Sequence, residues 1–210
     1  MILPVEPLVL LGFVPAALAL NLTPGADMMF CLGQGLRGGP RAGMAANLGI
    51  ACGGMLQVVL AGLGLGALVH AHPIAFDAIR WLGVGYLLVL AWQALRGGVL
   101  PPGAATGPAA AGTVFRQALL VNLFNPKVIL FILAFLPQFV DPSRAVLPQF
   151  LTLGTVFCLG GLAVNGTVGV LAGGIGARLA RSQRLMNWLG RVSALIFVGL
   201  AVRLAVMERA

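Results

Sequence analysis

Charge is what this sequence has least of. Charged residues fill 9% of the 210 positions, and only five of them are acidic, against 60% hydrophobic residues and a mean hydropathy of +1.02. No ordinary soluble domain has this balance. The shortage of acids and histidines also excludes most enzyme chemistry. A membrane-embedded catalyst needs clustered His, Asp or Glu ligands, or a nucleophile beside its base, and only Asp27 lies well inside an apolar run. His70 and His72 stand two apart in a turn with only Asp77 near in sequence, which is no metal-binding pattern. Cys31, Cys52 and Cys158 show neither CxxC nor ligand spacing and read as small buried apolar residues. No enzyme activity, metal or cofactor is therefore expected. The net charge of +8 does not imply nucleic acid, because the arginines fall in gaps between apolar runs, where they act as membrane orientation signals.

What is present is a series of long apolar runs, each near the ~20 residues that cross a bilayer. Nothing basic precedes Arg37, so a cleaved signal is not indicated and residues 5–33 read as a retained first span. Further spans are expected at 43–69, 74–95, 115–139, 147–176 and 189–207, making one all-α integral membrane domain over 1–210. The segment at 33–43, GQGLRGGPRAG, reads as a short loop and DPSR at 141–144 as a turn. Residues 96–112 read as a flexible Pro/Gly linker, and 177–191, with arginines interleaved among apolar residues, as an amphipathic surface helix. Gly49 with Gly53, and Gly62 with Gly66, give small-xxx-small spacings suited to close helix packing. Asp77 and Arg80 suit a headgroup-level pair with Trp81 as anchor. Asn165 and Thr167 are a polar interruption that could face the interior of span five.

Two of the spans are broken. NLTPGAD at 21–27 interrupts the first, and NLFNPK at 122–127 opens the second part of the fourth. Proline removes a backbone donor and frees a carbonyl of the preceding turn, so polar groups appear at a depth where lipid offers none. Such breaks line substrate paths in secondary transporters. Arg37, Arg41, Arg96, Arg116, Arg178, Arg181, Arg184 and Arg191 follow spans one, three and five, while Arg144 and Arg209 mark the other side, with Arg80 and Arg203 at its margins. Positive loops stay cytoplasmic, so both termini are expected in the periplasm. The six transmembrane helices then form two inverted three-helix repeats, about 1–95 and 113–210, each led by a broken helix.

These residues carry a resemblance. NLFNPKVILFILAFLPQFV, LTPGAD, QGLRGGPRAGMAANLGIACG and LGVGYLLVLAWQALRGG are together similar to the lysine exporter (LysE/RhtB) family of bacterial amino-acid efflux proteins, closer to its threonine/homoserine branch. Ala26 stands where that family often has a second proline. The resemblance implies six helices in the bacterial inner membrane and export of amino acids or related metabolites driven by the proton gradient. A homo-oligomer is left open.

A zwitterionic substrate needs an anionic or carbonyl-rich patch for its ammonium and a cationic or donor-rich patch for its carboxylate. Asp27, with carbonyls freed near Asn21, Thr23, Pro24 and Gly25, suits the first, and Lys127, with Asn122, Asn125 and Pro126, the second. Asp27 is also the candidate for proton coupling. A blander reading is that Asp27 and Lys127 pair only to lower the cost of burying charge. A transmembrane thiol-disulfide carrier is the alternative function, suggested by Cys31 near the first break and opposed by the lack of any cysteine in span four.

Overall fold

The computed structural model describes residues 4–71, 73–96, 109–172 and 182–206, and among them it is all-helical, with no strand. Helix α1 spans Pro7–Leu22, with Pro7 at its first turn, where a missing N–H costs nothing. It stops because Pro24 disfavours a helical residue before it, and Thr23 is extended (φ −69°, ψ 119°). Helix α2 then runs from Ala26 to Ala71.

The loop expected at 33–43 is reduced to one residue. Gly39, at φ 70°, is non-helical, and Pro40 starts the next helical stretch. Glycine alone adopts that φ without strain. Gly35 and Gly43, four residues to either side, both abut the Gly169 backbone. The chain thus turns on a single residue while helical hydrogen bonding continues on both sides.

Helix α3 is Pro73–Arg96. His72, the side chains of His70, Asp77 and Arg80, and linker residues 97–108 lie outside the described residues. Trp81 is exposed, as an interfacial anchor requires. The fourth expected span is Ala111–Leu123 (α4), a break at 124–125, Pro126–Leu130 (α5), a π-helical turn Phe131–Phe135 and a 3-10 turn Leu136–Phe139. Its two arms are bent by 50°.

The DPSR turn forms as expected. Arg144 pairs with Glu6 at 3.2 Å and Asp141 at 3.3 Å, and buried Gln149 exchanges hydrogen bonds with the Asp141 backbone at 2.8 and 2.9 Å. Helix α6 is Val146–Val170 and α7 is Gln183–Val206; residues 173–176 of the expected fifth span lie outside the described residues. Residues 177–181 of the expected surface helix lie outside the description, and from Gln183 onward the stretch is simply the beginning of α7.

By length and composition, 26–64 and 146–170 can each cross a bilayer, and the bent pair 111–123 with 126–139 makes a third such span. Helix α2 packs on α6 and α4, α3 on α7, and α1 on α6 and α7. The Gly49 and Gly53 face lies against Phe115, Ala118 and Asn122 of α4, and Gly62 against Leu147 and Phe150 of α6. The interior is filled by Phe13, Leu20, Phe131, Phe150 and Phe197. Leu8, Leu11, Leu60, Leu82 and Leu195 point outward. So much exposed large aliphatic surface is unusual for a soluble protein and suits lipid.

Candidate functional site

The two breaks meet. In the first, the Thr23 hydroxyl donates to Ala19 O at 2.6 Å, turning its side chain back onto α1 and leaving its own carbonyl for another donor. In the second, Asn125 caps α5, its Oδ1 accepting the Lys127 N–H at 3.0 Å, which is the usual economy of an Asn N-cap followed by proline. Pro126 has no N–H for the Asn122 carbonyl four residues back. The Asn125 N–H donates to that carbonyl at 2.9 Å, and Gln57 of α2 adds a second donor, from Nε2 to Asn122 O at 2.8 Å and to Asn122 Oδ1 at 3.2 Å.

Across the breaks, Lys127 Nζ donates to Thr23 O at 2.7 Å and Asn122 Nδ2 donates to Asp27 Oδ2 at 2.9 Å. The patches expected to act on opposite ends of a substrate are therefore cross-linked to each other. Lys127, the only lysine in the chain, and Asp27 act on each other electrostatically but form no ion pair within 4.0 Å. Gly25 makes room for the lysine, since a methyl group there would stand 3.2 Å from Nζ. Asn125 lies close enough to act on the Asp27 carboxylate, while Asp27 Oδ1 and Asn125 Nδ2 are buried without a hydrogen-bond partner.

Asn21 stands apart from this cross-link. It donates to Phe157 O of α6 at 3.0 Å. Its amide lies against Gly160 and Gly161 of α6, where added methyl groups would come within 2.8 and 3.3 Å of it. Asn122 lies likewise against Gly53 and Gly54 of α2, at 2.9 and 3.8 Å. Asn21, Asp27 and Asn122 all border one small cavity, about 20 Å³, closed by Ile50, Ala51 and Gly54 of α2 and by Phe157, Cys158, Gly161, Leu162 and Asn165 of α6. That is room for about one water.

Sequence reasoning missed Gln57 and Asn47. Asn47 is 2% exposed and donates to Leu162 O at 2.9 Å, while its Oδ1 is unpaired. A lone amide in an apolar helix gives no signal by itself, and both partners are distant in sequence. Of the polar interruption in span five, Asn165 is buried, whereas Thr167 is exposed and donates to Ala163 O of its own helix at 2.7 Å. The three cysteines are free; Cys31 and Cys158 are buried as expected, whereas Cys52 is exposed. Cys31 lies in a small cluster with Ala46, Ile50, Val114 and Ala118, apart from the main core that holds Cys158.

The LysE type translocator profile matches residues 18–208. A membrane protein of Vibrio cholerae is 34% identical over 197 residues, covering 93% of this chain and 95% of its own. A homoserine/homoserine lactone efflux protein of Salmonella typhimurium is 30% identical, covering 89% and 90%, and a leucine efflux protein of an Enterobacter species is 31% identical, covering 92% and 93%. No solved structure matches. Both breaks and the residues that border the cavity fall inside the matched region, and the chain is a membrane transporter, not an enzyme: it belongs to the LysE type translocator family.

Proposed function

We propose that this chain exports amino acids or related small metabolites across the bacterial inner membrane in exchange for protons, using six spans arranged as two inverted repeats with both termini in the periplasm. The observation that carries the reading is the cross-link of the two breaks, which joins the Lys127 ammonium to the Thr23 carbonyl and the Asp27 carboxylate to the Asn122 amide, with Asp27, Asn21, Asn122 and Asn165 bordering one interior space. Groups so costly to bury in a bilayer mark a substrate or ion path. The relatives named as homoserine/homoserine lactone and leucine efflux proteins favour amino acids as cargo.

Pairing between elements supports the repeats. If α1 with 26–38 corresponds to the 111–139 span, α2 beyond Pro40 to α6, and α3 to α7, then α2 on α6 and α3 on α7 are self-matching contacts, and α2 on α4 matches α6 on α1. Asn21 against Gly160–Gly161 and Asn122 against Gly53–Gly54 repeat the relation at residue level. Glu6 bonded to Arg144 keeps the N-terminus beside the turn after span four, as a periplasmic face requires.

In this closed arrangement the cavity is too small for an amino acid. Opening would release Lys127 from Thr23 O to take a substrate carboxylate, with Asn125 Nδ2 as a second donor, and free Asp27 for the ammonium. Pro24, Gly25 and Pro126 keep the backbone open for this exchange. Protonation of Asp27 from the periplasmic side would then expel the ammonium, and one proton gains roughly 2.3 kcal/mol per 100 mV.

Cells overproducing the chain should resist toxic levels of particular amino acids or analogues, and Asp27→Asn should remove the resistance at unchanged protein level. Resistance that survives Asp27→Asn would sink the coupling role, and none across a full amino-acid panel would sink the export reading.

A further inference from the structure

One amide at the cavity has neither of its polar atoms hydrogen-bonded to another described residue. Asn21, Asn47, Asn122 and Asn125 are each engaged with a backbone or side-chain partner. Asn165 is 5% exposed and borders the cavity on the α6 side, and among the described residues its amide has no hydrogen-bond partner. An amide left in an apolar interior costs free energy unless something in that space takes its bonds.

The surrounding wall limits what that something can be. The space is about 20 Å³ in this closed arrangement and a methyl group at Gly54 would already stand 3.3 Å from Cys158 Sγ, so a short side chain enters with the least opening. Among the described residues, Asp27 is the only acidic one bordering the cavity. With Asp27 taken by the substrate ammonium, a second cationic group would enter unpaired, at high cost.

We infer that Asn165 is a specificity-determining residue, whose amide hydrogen-bonds a hydroxyl on a short substrate side chain while the α-amino and carboxyl groups sit at Asp27 and Lys127. This rests on the export reading above. The chain then prefers short hydroxylated amino acids to aliphatic ones of similar size, and it rejects basic ones. A site built to bond a hydroxyl penalises an analogue without one, because its own polar group is left unpaired.

The test is uptake of labelled homoserine and leucine into everted membrane vesicles carrying wild type, Asn165→Leu, Asn165→Ala or Asp27→Asn. The wild type should favour homoserine. Asn165→Leu should cut the homoserine-to-leucine ratio of kcat/KM by about tenfold or more, chiefly through the KM for homoserine. Asn165→Ala, which removes the amide without adding bulk, should move the ratio the same way if the leucine variant does not fold. A ratio unmoved in folded Asn165→Ala, or a wild type that prefers leucine, overturns the inference while leaving export intact. A wild type that transports no amino acid overturns the export reading and this inference with it.

Discussion

Removing Lys127 and Asp27 singly and together separates neutralisation from function. If the two charges served only to neutralise one another, each single change would strand a charge and the double change would restore both fold and flux. The structure predicts otherwise, because each has its own partner: Lys127 the Thr23 carbonyl at 2.7 Å, Asp27 the Asn122 amide at 2.9 Å. With the charges more than 4.0 Å apart, their attraction stays below about 4 kcal/mol at an effective dielectric of 20. Lys127→Gln also loses a charge-assisted hydrogen bond of about 1.5–3 kcal/mol and is relieved of a burial cost of about 2.5–3.5 kcal/mol. Those two terms nearly cancel, so the single variants should lose no more than the attraction, and the thermodynamic cycle should return a coupling of about 1–3 kcal/mol. Export should be lost in all three variants. Thermal melting of purified variants, paired with export from cells, measures both quantities. Wild-type export by the double variant would refute the argument, as would full export by both single variants.

Gly53→Ala should destabilise by about 1–3 kcal/mol, since its methyl group would stand 2.9 Å from Asn122 Oδ1 and 3.0 Å from Leu119 O; Gly64→Ala, which meets nothing within 4 Å, is the control in the same melt and should be near neutral. A tag at either terminus should be reached by an impermeant reagent from the periplasm and one inserted at Gly103 should not; the opposite labelling would overturn the orientation. Asp141 accepts hydrogen bonds from the Ser143 hydroxyl and N–H and lies beside Arg144, which holds its carboxyl below the usual carboxylate range. A depressed carboxyl stabilises at pH above its unfolded value near 3.9 and ceases to do so as pH falls through its folded value. A spin label at Pro142 should therefore be immobile at neutral pH and loosen only below about pH 4, and Asp141→Asn should remove that dependence.

The parts legible in the sequence were those set by local chemistry. Thr23-Pro24 and Asn125-Pro126 break helices wherever they occur, and long apolar runs name their own helices. The segment 33–43 misled because its glycines and arginines resemble a loop, whereas the turn needs just Gly39 at positive φ and Pro40 to restart the helix. In the described part of the 177–191 stretch, residues 183–191 continue without a break into the last helix, because an amphipathic pattern does not say where one helix ends and the next span begins. Asn47 and Gln57 were invisible for a different reason: their partners Leu162 and Asn122 are 115 and 65 residues away, and only packing brings them together. That Lys127 would hold Thr23 O rather than Asp27 was equally beyond reach, because rotamer and helix bend decide it.

The most direct test of the central claim is solute counterflow by the purified protein in proteoliposomes loaded with a single unlabelled amino acid, with a pH-sensitive dye inside. The account predicts transient accumulation of labelled substrate and opposed proton movement in the wild type, and neither in Asp27→Asn or Lys127→Gln. No counterflow with any amino acid, or wild-type counterflow in both variants, would contradict it.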